Sequence, residues 1–272
     1  MTLRTLLPLL LLTAPALAQD APPTAAPGIA DNSFLLEEAY NQPFGVVQHI
    51  SVFTRVFDAD GWLYAFTQEW PMPDQRHQIS VTLPVLDVEA HTGIGDVALN
   101  YRYQALEGSR GGVAFSPRIS LVAPTGSSSR GLGTGGLGFQ VNLPVSVARG
   151  KRFVTHSNLG ASWFPEAENA LGEKAGSTGF NAGQSVIWVA SPTFQPLVEL
   201  AWTRAGAVIE EGRTEPVDAL YLSPGVRWAH NFESGLQIVP GVAIPIGLGP
   251  SRGDTGLLLY LSIEHPFRRP RP

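Results

Sequence analysis

Cysteine is absent from this 272-residue sequence. No disulfide framework and no thiolate metal site can form, and no lipid can be attached through an N-terminal Cys. Basic blocks are also missing until Arg268, Arg269 and Arg271 at the tail, and the net charge is −5. That balance gives no reason to expect a nucleic-acid partner. After residue 18 no apolar run approaches the ~20 residues a helix needs to cross a bilayer, so a helical membrane protein is excluded. Six histidines are scattered at His49, His77, His91, His156, His230 and His265, with no H-x-x-x-H or H-E-x-x-H spacing. No metal site and no cofactor is expected.

What is present begins with a segment that reads as a secretory signal over residues 1–18. Arg4 supplies the charge, Leu6 to Leu12 the apolar run, and Ala16-Leu17-Ala18 a cleavage site before Gln19. Residues 19–43 form an N-terminal extension, Pro/Ala-rich as far as Gly28. Asp31, Asn32 or Ser33 can cap a short helix from Phe34 to Tyr40, and Pro43 ends it. Phe34, Leu35, Glu37, Glu38 and Tyr40 are the candidates for a plug or gate. The bland alternative is an amphipathic piece lying beneath the main domain.

From Phe44 the period is two. About ten alternating residues per segment, separated by turns, is the pattern of a transmembrane barrel. Only helices and closed barrels satisfy every backbone polar group in lipid. The expected fold is all-β: a closed antiparallel up-and-down transmembrane β-barrel spanning residues 44–267, with about twelve strands. They are placed near 44–57, 61–70, 76–86, 94–106, 111–123, 134–148, 152–164, 177–190, 192–204, 217–229, 235–246 and 254–267. The last reads GLLLYLSIEHPF, with Leu257, Leu259, Leu261 and Ile263 on one face. It is expected to pair with the first strand and to engage the barrel-assembly machinery, with a basic tail over 268–272. With the N-terminus periplasmic, inner turns are short. Outer loops such as Asp87–Gly93, Pro124–Gly133, Pro165–Gly176, Ala205–Pro216 and Gly247–Gly253 are longer.

Tryptophans fall near expected strand ends. Trp62, Trp163 and Trp202 lie toward the outer rim, and Trp70, Trp188 and Trp228 toward the inner, where Phe267 joins them. Amphipathic rings gather at membrane interfaces, whereas a soluble sandwich would bury Trp at mid-strand. Pro84, Pro117, Pro144, Pro196, Pro224 and Pro240 lie inside expected strands and require bulges or fraying, because each removes a ladder donor. The inward face carries Glu69, Asp96, Arg102, Arg118, Glu199, Arg227 and Glu264. Charges of both signs are expected either to fill the interior as a paired lattice or to line a pore and set its selectivity.

Four runs carry a resemblance: DNSFLLEEAYNQPFGVVQHI (Asp31 to Ile50), GIGDVALNYRYQ (Gly93 to Gln104), FSPRISLVAPTG (Phe115 to Gly126) and PGVAIPIGLGPSRGD (Pro240 to Asp254). With them the chain resembles bacterial outer-membrane transporters of the meta-pathway phenol-degradation type. The resemblance implies a Gram-negative outer-membrane barrel passing small, hydrophobic or aromatic compounds. It carries over no catalytic residue.

Three functions remain to be weighed: a passive channel for a small-molecule solute, a non-transporting structural or binding barrel, and a lipid-modifying enzyme. The third rests on His156, Asn158 and Ser162, which invite comparison with outer-membrane phospholipase. Such a site is defined by geometry and has no accompanying motif here. Gly133-Thr134-Gly135-Gly136-Leu137-Gly138 matches G-x-G-x-x-G but lacks the βαβ context that nucleotide binding needs.

Overall fold

A computed structural model describes residues 28–57, 61–88, 91–108 and 112–267. The expected signal segment, residues 19–27 and the basic tail 268–272 lie outside the described residues. The rest is one antiparallel sheet rolled shut. Its twelve strands are β1 (Val46–Val56), β2 (Gly61–Pro71), β3 (His77–Val88), β4 (His91–Ile94, Val97–Tyr103 and Leu106–Glu107) and β5 (Val113–Phe115 and Arg118–Ala123). Then follow β6 (Gly138–Asn142 and Val145–Arg149), β7 (Phe153–Glu168), β8 (Lys174–Trp188) and β9 (Phe194–Glu210). β10 (Arg213–Trp228, continued by His230–Asn231), β11 (Gln237–Ala243 and Ile246–Gly247) and β12 (Gly256–Pro266) complete the wall. β12 closes on β1 in register from Val46↔Pro266 to Val56↔Gly256. Closure leaves no edge at membrane depth, so every strand there can spend its backbone donors on a neighbour.

The side-chain distribution is inverted relative to a soluble protein. Leu99, Ile119, Phe139, Leu159 and Phe180 point outward and are 43–59% exposed. Ser80, Asn100, Ser120, Asn142, Ser185, Gln195 and Ser262 point inward and are 7% exposed or less. Alternation along each strand therefore sorts apolar side chains to the outside and polar ones to the inside. Two stacked sheets would do the opposite.

Strand length is uneven. β1, β2 and β12 each have 11 residues, whereas β7 to β10 have 15 to 17. At about 3.4 Å per residue and a tilt near 40°, roughly 10 residues cross the ~25 Å apolar band, and the longer strands overshoot it. The loops expected at Pro165–Gly176 and Ala205–Pro216 are accordingly mostly strand. β9 and β10 are joined by Glu211-Gly212 alone, with Gly212 at φ 73°. The small and charged residues there read as loop because they face water on both sides.

The in-strand prolines are resolved in two ways. Pro117 and Pro144 sit at breaks in β5 and β6, while Pro84 and Pro224 face breaks in β4 and β11, their carbonyls accepting from Gly95 and Ile244. Pro240 likewise faces the gap in β10 at Ala229, between the pairs Arg227↔Gly241 and His230↔Ile238, and Pro196 lies where the β8–β9 ladder has frayed, one residue beyond its last pair Ile187↔Leu197.

The expected helix from Phe34 to Tyr40 is not formed. Residues 28–43 are an irregular run without a helical turn. The amides of Phe34 to Glu37, Ala39, Asn41 and Gln42 are taken by the wall, and those of Asn32, Ser33 and Glu38 by groups within the run, instead of by carbonyls four residues back.

Candidate functional site within the lumen

The N-terminal run travels around the inside of the barrel and meets the strands in turn. On β10, Arg227 donates from Nη1 to the Asp31 carbonyl at 2.8 Å and from Nη2 to the Ile29 carbonyl at 3.2 Å, and Nη1 also reaches the Asn32 carbonyl. On β9, the Glu199 carboxylate accepts from the amides of Phe34, Leu35 and Leu36 at 3.0–3.2 Å. On β7, Asn158 accepts from the Glu37 amide at 2.9 Å and donates to its carbonyl at 2.8 Å. Ser146 of β6 accepts from the Ala39 amide at 2.7 Å, and Ser116 of β5 donates to the Ala39 carbonyl at 2.8 Å. Gln104, which follows the central section of β4, accepts from the Asn41 amide, and Gln78 of β3 from that of Gln42. An irregular backbone enclosed in a barrel must find partners for its polar groups. Here the wall supplies them strand by strand.

Apolar anchoring accompanies the polar ring. The Phe34 ring lies against Gly225 and Gly241, where a Cβ would come within 2.8 and 2.5 Å of it, and Leu36 covers Gly183 in the same way at 2.4 Å. Tyr260 stands 5.1 Å from Phe34, centroid to centroid. Its hydroxyl donates to Asp31 Oδ1 at 2.5 Å, an oxygen that also accepts from Gln48 Nε2 at 2.8 Å. These in-strand glycines leave shallow seats for the two side chains.

Glu69, Arg102, Glu199 and Arg227 are buried within the barrel, and Asp96 and Arg118 border its internal space. Arg102 and Arg118 are directly paired across β4 and β5. Their repulsion is offset by carboxylates and carbonyls: Arg102 lies 3.7 Å from Glu69 and donates to the carbonyls of Glu38 and Tyr40, while Arg118 holds Glu37 at 2.8 Å. Glu264 receives a 3.5 Å contact from Gln42. Asp96 does different work from the others. It accepts from the amides of Gly126 and Thr134 and so fastens an outer loop. Of the plug candidates, Phe34, Glu37 and Glu38 sit within this network, Leu35 is 38% exposed, and Tyr40 contributes its carbonyl to Arg102. Burial pushes the Glu38 carboxyl well above its ordinary value.

Above the N-terminal run lies open space. One cavity of about 360 Å³ is bounded by Asn32, Phe34 and Glu37 below and by Ile50, Val52, Thr67, Glu69, Ser80, Thr82, Asp96, Ala98, Asn100, Arg118, Val122, Gln140 and Tyr260 around it. A second, of about 190 Å³, runs along Ser162, Asn181 and Thr203 and shares Arg118 and Gln140 with the first. What sequence reasoning missed is the role of Gln78, Gln104, Ser116, Ser146 and Asn158 as partners of the N-terminal run, together with the glycine seats. Their signal was a polar or empty inward position recurring in successive strands.

The barrel is of the outer-membrane type. The chain is similar to the COG4313 outer membrane channel from Pseudomonas putida F1, with a TM-score of 0.63 at 15% identity over 84% of this chain and 97% of that one. It is also similar to the KdgM porin (0.50, 8% identity, 81% and 99% covered) and the NanC porin (0.51, 8%, 82% and 100%). At such identity the likeness is one of fold. No family model matches the chain, and no curated protein matches it.

His156 does not build the site weighed for hydrolysis. Its Nδ1 pairs with Ser146 Oγ at 2.7 Å, not with Ser162, and the N-terminal run covers that pair through the Ala39 amide. His265 stacks on His49 with Nε2 atoms 3.1 Å apart. The outward aromatics lie in cross-strand pairs at the inner end, Trp188 opposite Phe153 and Trp228 opposite Phe194. At the outer level Trp62 packs on Phe53 and Trp163 on Phe139, while the Trp202 indole donates to Asp218. Trp163 and Trp202 fall in mid-strand because β7 and β9 continue beyond them.

Proposed function

We propose that the protein is a passive outer-membrane channel for small compounds, with residues 28–43 as the gate on its periplasmic side. The observation that carries this is the polar chamber of about 360 Å³ held inside a closed barrel directly above that run. Ile50, Val52, Phe34 and Tyr260 give the chamber an apolar side, and Thr67, Ser80, Thr82 and Asn100 a hydrogen-bonding one. That combination suits a small hydrophobic or aromatic solute with a polar edge. The resemblance to meta-pathway phenol-degradation-type transporters supports the same solute class. The charges Glu69, Arg102, Arg118, Glu199, Arg227 and Glu264 are read as the scaffold that seats the gate. Trp62, Trp163 and Trp202 are read as the outer girdle, and Trp70, Trp188, Trp228 and Phe267 as the inner one, in contact with outer-membrane lipid. The final strand is read as the contact for barrel assembly.

The test is conductance of the pure protein in planar bilayers, with and without residues 29–42. The intact protein is expected to conduct weakly, and the deleted form several-fold more. If neither form conducts, the channel reading falls. The alternative, a non-transporting barrel, draws on the dense packing of the inner half of the lumen; it predicts that silence.

A further inference from the structure

We propose that Arg118, Asn142 and the adjoining chamber form a binding site for a small monocarboxylate, and that Glu37 occupies it as a built-in stand-in. The idea rests on the channel reading only in needing solute to reach the lumen.

The geometry is that of carboxylate recognition. Arg118 Nε donates to both Glu37 oxygens, at 2.9 Å to Oε1 and 3.0 Å to Oε2. Nη2 lies 2.8 Å from Oε1, and Asn142 Nδ2 donates to the same oxygen at 2.9 Å. One edge of a guanidinium, Nε with Nη2, plus an amide is a donor set matched to a planar carboxylate. The fork is itself held in place by the barrel wall: Nη1 donates to Asn100 Oδ1 at 3.0 Å and to the Ser120 hydroxyl. Every one of these donors and props belongs to a strand or strand end, so the site persists if the N-terminal run moves.

Position separates this ion pair from the other contacts of the run. Glu199 and Arg227, which grip the run from the wall, are fully buried. The Arg118 and Glu37 side chains retain 18% and 25% exposure, and both border the chamber. A solute entering from outside therefore meets this pair first. The chamber's apolar side, with Phe34, Tyr260, Ile50 and Val52, can receive the body of a solute whose carboxylate reaches the fork. Glu37 is tethered and competes at high effective concentration, so an external carboxylate binds weakly until Glu37 is removed.

The experiment uses benzoate, with benzamide as its uncharged match, titrated calorimetrically into the full mature protein in detergent. Folding is checked by the shift in gel migration between unheated and heated samples. Wild type is expected to bind benzoate weakly. Glu37→Ala is expected to bind it at least tenfold more tightly, and to leave benzamide unchanged. Glu37→Ala combined with Arg118→Gln should lose the gain, while Glu37→Ala combined with Arg213→Gln, a charge removed from an exposed ion pair far from the chamber, should keep it. The proposal is overturned if Glu37→Ala gains nothing, if benzamide gains equally, or if Arg118→Gln leaves the gain intact. Flux without benzoate binding removes this site and keeps the channel; binding without flux in any form does the reverse.

Discussion

Glu199 shows what a single side chain does in this barrel. Its carboxylate takes three consecutive amides, of Phe34, Leu35 and Leu36. Hydrogen bonds to a charged acceptor contribute about 1.5–3 kcal/mol each. Glu199→Leu leaves those donors without an acceptor and is expected to release the N-terminal run while the strands stay paired. Single-channel conductance should rise several-fold, and protease digestion of residues 28–43 should accelerate, against an unchanged β-sheet circular dichroism spectrum. Gly241→Val reaches the same result from the apolar side, because its Cβ alone would come 2.5 Å from the Phe34 ring. Trimming that ring in the same protein, Phe34→Ala with Gly241→Val, is expected to restore low conductance, since the added side chain then fills the space left behind.

The elements divide into two jobs. β1, β2, β3, β5, β6, β11 and β12 are just long enough to cross the apolar band, and β4 spans a similar length to the long strands but in three short pieces. β7 to β10 continue into a four-stranded extension with charged side chains and ion pairs, among them Lys174–Glu166, Arg204–Asp218 and Arg213–Glu210. Those pairs are exposed, and each contributes little to stability. The extension has edges where its neighbours stop. On β10, residues Arg213–Ala219 are paired by β9 alone, and Pro216 with Glu215 and Asp218 discourages further pairing there. Shortening the β9–β10 hairpin by removing residues 208–215 is therefore expected to leave folding and conductance unchanged, as judged by gel migration and bilayer recording. Loss of folding would show that the extension belongs to the barrel's core.

At the scale of the whole molecule, one orientation follows from the topology. The first and last described residues share one rim with the turns at 72–76, 150–152 and 232–236, and the β7–β10 extension rises from the other. With no native cysteine, thiol labelling of intact cells reads this directly. Leu171→Cys, at a position 84% exposed on the outer rim, is expected to react with a membrane-impermeant maleimide. Lys151→Cys, on the inner rim, should react only after the outer membrane is breached. Equal labelling of both would contradict the transmembrane arrangement.

The sequence alone carried the barrel. Period-two alternation, twelve segments and the placement of aromatics are local properties, because a strand's neighbours in sequence already decide which side chains share a face. Glu69, Arg102, Arg118, Glu199, Arg227 and Glu264 were legible as inward charges for that reason. Strand ends past the girdle were not, since a hairpin in water on both faces has no alternation to read, and Glu211-Gly212 hides as one turn among many. The N-terminal run shows the sharper limit. Asp31, Asn32 and Ser33 before an apolar stretch satisfy the local rule for a helix start, yet residues 34–37 and 39 hand their amides to Glu199, Asn158 and Ser146. Those partners lie more than a hundred residues away and arrive together only when the sheet closes. Closure also put Arg118 and Asn142 on one carboxylate. Local pattern chose the wall; only the closed circle decided what the wall would hold.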